Sequence, residues 1–370
     1  MARTTGARSL IRYAVVGQGY ISQAAVLPAF RHARANSRLV ALVSGDETKR
    51  RELGRKYDVA TYGYDEYDTC LASGDVDAVY IALPNTMHRE YTVRAARHGV
   101  HVLCEKPLAV TEADCRAMID ACRKGGVKLM TAYRLHFERA TLQALREVRD
   151  GAIGEPKLFA STFTMDVKPP NIRLEQDMGG GTLYDIGIYC INAARHLFGV
   201  EPAEVSCITT RHPKPGSDVD ESACSILRFP GDRLATFCTS FGAGKTSEYR
   251  VIGSKGSMRV DPGYELARGL ELRFERDGKK RTIKYAKRDQ FAPELIHFSD
   301  CILQDRPPEP SGEEGLADVR VIQALYKSAR TGRPVRLDGL KQPARPSMRR
   351  EITKPPVRMP RLVHATPPGG

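Results

Sequence analysis

The run Tyr13-Ala-Val-Val-Gly17-Gln-Gly19-Tyr-Ile-Ser22 decides the fold. An apolar strand, Tyr13 to Val16, stops abruptly at two glycines. A helical apolar pattern follows through Ile21, Ala24, Ala25 and Leu27. A buried strand that turns through glycines into a helix offers backbone N–H groups and the positive helix end to a pyrophosphate. Gly17 allows the tight turn, and Gly19 lets the backbone approach the phosphates. Ser22 stands at the third position, where glycine is usual, and is small enough for close helix–strand packing. Alone, the motif also describes a plain strand-turn-helix, so its surroundings must decide.

Working outward, a first helix is expected from about Gln23 to Arg34 and a second apolar strand at Leu39–Val43. Ser44-Gly45-Asp46 ends that strand, and Glu47 to Tyr57 reads as a helix. The glycine turn therefore sits inside a βαβ unit, the context a dinucleotide site requires. After the second strand, NAD sites usually carry an acid that bonds the ribose 2′-hydroxyl. Here Ser44 stands there, with Lys49 and Arg50 close behind. A hydroxyl and cations attract a 2′-phosphate that a carboxylate would repel, which predicts NADP; Asp46 keeps NAD as the weaker alternative.

Further strands at Ala78–Leu83, His101–Cys104 and Val127–Ala132 alternate with helices Arg89–His98 and Thr111–Lys124, Thr111 being the N-cap. This predicts a doubly wound parallel sheet over residues 11–134. The loop at Pro84–His88 and the segment Tyr133-Arg134 follow strand ends, where such sheets bind ligands. Beyond residue 135 a helix at Ala140–Asp150 precedes mostly strands, with turns such as Pro230-Gly231-Asp232 and Asp277-Gly278. Helices are expected at about 183–198, 294–304 and 315–331. Residues 135–338 thus read as a second α/β domain with a large, mainly antiparallel open sheet. One face of that sheet needs a cover, which predicts a homodimer or tetramer.

The net charge of +13 is concentrated at the ends. A basic head (1–10, with Arg12 just after it) and a tail (339–370) leave the body at only +4. The tail holds seven prolines and lacks both helical period and interleaved aromatics, so it is expected to be solvated and mobile with little regular structure. Nucleic-acid binding would rest on that tail alone and is not expected. No apolar run approaches the roughly 20 residues of a membrane span, and the polar head does not resemble a secretory signal. A cytoplasmic protein is expected. The nine cysteines form no C-x-x-C pair and the nine histidines no H-E-x-x-H cluster, so neither a disulfide framework nor a metal site is expected.

Two segments could carry chemistry. Lys106 ends a parallel strand in the run Cys104-Glu-Lys-Pro107, beside the expected nicotinamide position; Pro107 could sit in a cis turn. In Gly179-Gly-Gly-Thr-Leu-Tyr-Asp185-Ile-Gly-Ile-Tyr189, a glycine triplet opens a helix on which Asp185 and Tyr189, four apart, share a face. A carboxylate and a phenol near a lysine can form a proton relay. Local capping for Asp185, core packing for Tyr189 and a surface loop for Lys106 are the competing readings.

Together these residues resemble the glucose-fructose oxidoreductase / inositol dehydrogenase / rhizopine-catabolism (Gfo/Idh/MocA) family, and most nearly its glucose-fructose oxidoreductase branch. The resemblance covers roughly residues 11–338. It rests on G-Q-G-Y at 17–20, V-S-G at 43–45, L-P-N-x-x-H ending at His88, C-E-K-P-L at 104–108, the 179–189 run, G-E-E-G-x-x-D-V-R at 312–320 and A-R-T-G-R-P-V at 329–335. It implies a nicotinamide-dependent oxidoreductase acting on a sugar or polyol, with Lys106 and Tyr189 as the catalytic pair and Asp185 positioning substrate. Inositol dehydrogenase-like members carry histidine at the Tyr189 position, which points to the sugar branch, where Arg173 would contact substrate. Gly17, Gly19, Tyr20, Ile21, Ser44, Lys49, Leu83, Asn85, His88, Glu105 and Arg134 would line the cofactor site. Glucose-fructose oxidoreductase encloses its cofactor with a long N-terminal extension; here about ten residues precede the first strand, which implies an ordinary dehydrogenase that exchanges NADP. The alternatives are a sugar–sugar oxidoreductase with tightly bound NADP and a non-catalytic NADP-binding regulator. A regulator need not retain Lys106, Asp185 and Tyr189.

Overall fold

Strand β1 (Ile11–Val16) lies at the centre of a six-stranded, wholly parallel sheet. Its neighbours are β2 (Ser37–Val43) and β4 (Ala78–Ile81), and the sheet runs β3-β2-β1-β4-β5-β6. The remaining strands are β3 (Ala60–Tyr62), β5 (His101–Glu105) and β6 (Leu129–Ala132). A strand covered on both faces reads as a continuous apolar run, and β1 and β4 are almost wholly buried. The strand order reverses between β1 and β4, and the crevice at such a reversal is where these sheets bind ligands. In the computed structural model, residues 10–211, 217–339 and 345–368 are described. Most of the basic head therefore lies outside the described residues.

Helix α1 opens as a wide turn, Ser22–Val26, and continues as Leu27–Ala29. Helix α2 spans Glu47–Tyr57, with Asp46 as N-cap accepting from the Lys49 amide at 3.0 Å. Short β3 and α3 (Tyr67–Ala72) follow; the sequence showed neither, since each is brief. Helices α4 (His88–Arg97) and α5 (Glu112–Lys124) complete the alternation, α5 being capped by Thr111 as expected.

The second sheet has nine strands. Its centre is β7 (Pro156–Thr164), which runs parallel to β10 (Arg233–Ser240) and antiparallel to β11 (Thr246–Gly253). Strands β8 (Glu204–Arg211), β9 (Asp220–Phe229) and β15 (Val335–Arg336) extend one side. Strands β12 (Gly256–Val260), β13 (Leu270–Arg276) and β14 (Lys279–Tyr285) extend the other. Helices α6 (Arg139–Arg149), α7 (Ile188–Phe198) and α9 (Gly312–Thr331) stand with that half of the chain. The buried face packs Phe159, Leu227, Phe237, Val251 and Leu272 beneath Ile188 and Ile191. The other face is open, with Leu158, Ile208, Ile226, Leu234 and Ile252 exposed.

Two features depart from the sequence reading. Helix α8 (Ala292–Leu303), late in the second half, returns to the first sheet. Its Leu295 and Phe298 pack with Tyr13, Val15 and Leu42, and the Tyr13 and Ser299 hydroxyls lie 2.8 Å apart. The tail also differs. Among its described residues only one short turn, Met348–Arg350, is regular, but the segment, though partly exposed, is docked on the rest of the chain. Arg345 Nη1 donates to the Arg195 carbonyl at 2.6 Å, and Gln23 exchanges two 2.8 Å bonds with the Val363 backbone. Prolines remove backbone donors, so most of the tail's hydrogen bonds go to backbone and side-chain groups elsewhere in the chain.

Candidate active site

The opening turn is built on contact. Gly17 has φ +90°, and a Cβ there would lie 2.5 Å from the Ala82 carbonyl oxygen, so only glycine fits between β1 and the end of β4. Ser22 Oγ donates to the Gly17 carbonyl at 2.5 Å, so the serine at the third position ties the turn to its helix. Gly19 is different: a Cβ there would meet no atom within 4 Å. Its open side is a cradle that a side chain would fill.

Gly19, Tyr20, Ile21, Leu83, Asn85, Glu105, Lys106, Arg134, Arg173, Asp185 and Tyr189 line one cavity of about 310 Å³. The first sheet supplies its floor, and residues 163–189 with the loop after β12 supply its walls. Gly179 closes the seam. Its carbonyl accepts from Asn85 Nδ2 at 2.8 Å, and a Cβ would strike Asn85 and Val110.

Tyr189 lies between two cations. Lys106 Nζ is 4.8 Å from its ring centre and Arg134 Cζ is 5.0 Å away. Lys106, which follows β5 at a cis Lys106–Pro107 bond, donates to the Asp185 carbonyl oxygen at 2.8 Å and sits 3.5 Å from its carboxylate. Arg173 Nε reaches the same carboxylate at 2.7 Å. Burial works against charge on Asp185, but Arg173 and Lys106 outweigh it and hold the carboxyl below its usual range. Arg134 is fixed by the Tyr264 carbonyl at 2.6 Å and by Gln290.

At the end of β2, Ser44 is buried, and its Oγ accepts from the Asp46 amide at 3.2 Å. Arg50 Nη1 donates to the Ser44 carbonyl at 2.7 Å. Gly17 and Gly19 form the turn after β1, and Ser44, Lys49 and Arg50 follow the end of β2; residues of these types fit a nicotinamide dinucleotide.

Comparison with known proteins agrees. Residues 11–133 match the family model "Oxidoreductase family, NAD-binding Rossmann fold", and residues 141–259 match the GFO/IDH/MocA C-terminal domain. The chain belongs to the Gfo/Idh/MocA family of oxidoreductases. It is 32% identical over 337 residues to D-xylose 1-dehydrogenase [NADP(+)] of Haloarcula marismortui, covering 89% of this chain and 93% of that protein. The solved aldose-aldose oxidoreductase from Caulobacter crescentus, complexed with glycerol, superposes with a TM-score of 0.84 at 39% identity, covering 89% of this chain and all of that one. A 3-ketoreductase of Actinomadura kijaniata, solved with NADP and TDP-benzene, superposes at 0.80 with 27% identity, covering 86% and 98%.

Within this Gfo/Idh/MocA chain, one residue expected at the cofactor, His88, lies behind the cavity, and another, Glu105, lines it from a largely buried position. His88 is fully buried, with Nδ1 3.0 Å from the Pro107 carbonyl and Nε2 3.0 Å from that of Leu83. It braces the two loops that carry Lys106 and Asn85. Glu105 accepts from the Tyr80 hydroxyl at 2.8 Å, and burial raises its carboxyl. Glu294, on α8, is wholly buried nearby and raised further, by burial first and by Glu105 second. No pattern in the sequence announced it.

Tyr264, in the loop after β12, was not singled out by the sequence. Its ring lies 5.9 Å from that of Tyr189 and 5.2 Å from Phe163. The closing 312–320 motif also gains a role. Arg195, buried on α7, pairs with Glu201 at 2.6 Å, Glu314 at 2.8 Å and Asp318 at 2.5 Å. Donor atoms of His136, His196 and Glu314 lie within 4.8 Å of one another. Glu314 Oε1 already receives Arg195, Asn192 and His196, which makes this cluster a hydrogen-bond network tying α7 to α9.

Proposed function

We propose that this chain is an NADP-dependent oxidoreductase of sugars, moving hydride between the nicotinamide and an aldose or related polyol. The observation that carries it is Tyr189 set between Lys106 and Arg134 in a cavity that begins at Gly19. The NADP dependence of the xylose dehydrogenase relative supports the cofactor, and Ser44 with Lys49 and Arg50 supports it independently.

The cofactor, when bound, supplies the hydride acceptor or donor. The protein handles the proton. Tyr189 is the group placed to take the proton of the reacting hydroxyl, or to return it to a carbonyl. The Lys106 and Arg134 charges beside the ring stabilise negative charge as it develops on the phenol oxygen. Asp185, held ionised by Arg173 and Lys106, accepts hydrogen bonds from substrate hydroxyls and fixes the ring orientation. Arg173 and Tyr264 close the outer wall.

Purified protein mixed with NADP and a panel of aldoses is expected to develop the reduced-nicotinamide absorbance band with at least one of them. Activity within a few fold of wild type in Tyr189→Phe would remove the phenol from this mechanism.

The alternative reading, a sugar–sugar oxidoreductase that retains NADP, draws support from the docked tail and from the likeness to the aldose-aldose enzyme. It expects NADP to survive desalting and to support turnover of sugar pairs with none added. The exposed row Leu158, Leu234 and Ile252 lies on paired strands of the open sheet and supports a homodimer or tetramer through that face. A monomeric mass in solution would refute it. Among the described residues no helix is long and apolar enough to cross a membrane, and all nine cysteines are free, which supports a reducing, cytoplasmic setting.

A further inference from the structure

The tail takes a path from the second half of the chain to the nucleotide turn. Arg345 caps the end of α7, and the Lys354 carbonyl accepts from the Asp289 amide at 3.2 Å. Pro356, Val357 and Arg358 lie along a groove with Leu27, Phe30 and Tyr57. Val363 is then fixed on both backbone groups by Gln23, a side chain only 1% exposed. His364 Nδ1 follows, 2.9 Å from Asp46 Oδ2, and Pro368 reaches the cavity at Gly19 and Tyr20. The tail therefore runs from the end of β2 to the glycine turn, the line along which the adenosine half of a dinucleotide lies.

His364 itself has φ +45°, in the left-handed region that few non-glycine residues occupy, histidine more readily than most. Residues held there are over-represented at ligand sites. Its partner is Asp46, the acid that kept NAD as the alternative in the sequence reading. Asp46 spends Oδ1 on the Lys49 amide and Oδ2 on His364, and its own amide bonds Ser44 Oγ. A bare Asp46 carboxylate two residues after Ser44 would repel a 2′-phosphate. The imidazole engages that carboxylate through Nδ1, and Nε2, when it carries a proton, can donate to a phosphate.

We propose that residues 345–368 form a strap over the adenosine half of the cofactor and that His364 contacts the 2′-phosphate, completing the pocket of Ser44, Lys49 and Arg50. The inference rests on the NADP reading above and adds a residue that sets its specificity. It also supplies enclosure from the tail, where the short segment before β1 had implied free exchange.

The test uses the full chain. Dissociation constants for NADPH and NADH are measured by nicotinamide fluorescence, and release rates by chase, for wild type, His364→Ala and Gln23→Ala. His364→Ala is expected to weaken NADPH by about tenfold or more, as for loss of a charge-assisted bond, and to leave NADH within twofold. Gln23→Ala is expected to speed release of both. Wild type that prefers NADPH, with the preference unchanged in His364→Ala, overturns this proposal and leaves the NADP reading standing. Wild type that binds NADH as tightly as NADPH overturns both.

Discussion

Lys106 Nζ lies 4.8 Å from the centre of the Tyr189 ring while donating to the Asp185 carbonyl at 2.8 Å, so one ammonium touches both expected partners. Lys106→Ala is expected to lower kcat by roughly 10²–10⁴-fold, the usual worth of a proton-transfer group. Cofactor affinity should stay within a few fold. Asp185→Asn is expected to raise KM more than it lowers kcat, since it orients substrate. Steady-state kinetics with equilibrium cofactor titration separates the two; a matched collapse of cofactor binding in Lys106→Ala would contradict this assignment.

The two glycines of the turn should fail differently. Gly17→Ala places a methyl 2.5 Å from the Ala82 carbonyl on a left-handed residue, and the expected result is a loss of stability of roughly 1–3 kcal/mol or more. A Cβ at Gly19 meets no protein atom within 4 Å, so the melting temperature of Gly19→Val should stay near that of wild type while dinucleotide binding disappears. Thermal melts and cofactor titration read both, and a Gly19→Val protein that binds normally would move the cofactor elsewhere.

Arg195→Met should be among the most damaging single changes. It leaves Glu314 and Asp318 buried without their cation, which costs on the order of 3–5 kcal/mol. Denaturant unfolding measures it. A loss below about 1 kcal/mol would show that the network relaxes to other donors.

Acid should weaken the fold through buried histidines. Burial, the leading cause in each, lowers His101 to about 4, His136 to about 3 and His297 to about 4. The unfolded chain takes up these protons near pH 6.5 and the folded chain does not, so stability is full above pH 6.5 and falls as pH drops towards 4. Each histidine contributes at most about 1.4 kcal/mol per pH unit. His101→Asn, whose amide oxygen can still accept from Lys128, should flatten the slope of unfolding free energy between pH 6 and 4; an unchanged slope would count against it.

The sheet around β1 was legible because its central strands β1 and β4 are buried apolar runs and α5 begins at its own cap, Thr111. Lys106, Asp185 and Tyr189 were legible as members of local runs, and the fold brings them together. Glu294 and Tyr264 were not, because their meaning comes only from what packs against them. The wide turn at Leu183–Gly187 escaped a reading based on a 3.6-residue period. The tail was misread as solvated because its composition is that of a free chain, and its partners, Gln23 and Asp46, lie more than three hundred residues away in sequence.

Helix α8 carries a consequence for anyone who would cut this chain. Phe291, Leu295 and Phe298 fill the apolar layer over β1 and β2. A fragment ending at residue 134 would therefore bare the side of its sheet that holds Tyr13 and Leu42, and would be expected to aggregate rather than bind nucleotide. The cofactor half is not a transplantable module: a chimera that borrows it must also borrow a helix encoded more than a hundred and fifty residues downstream.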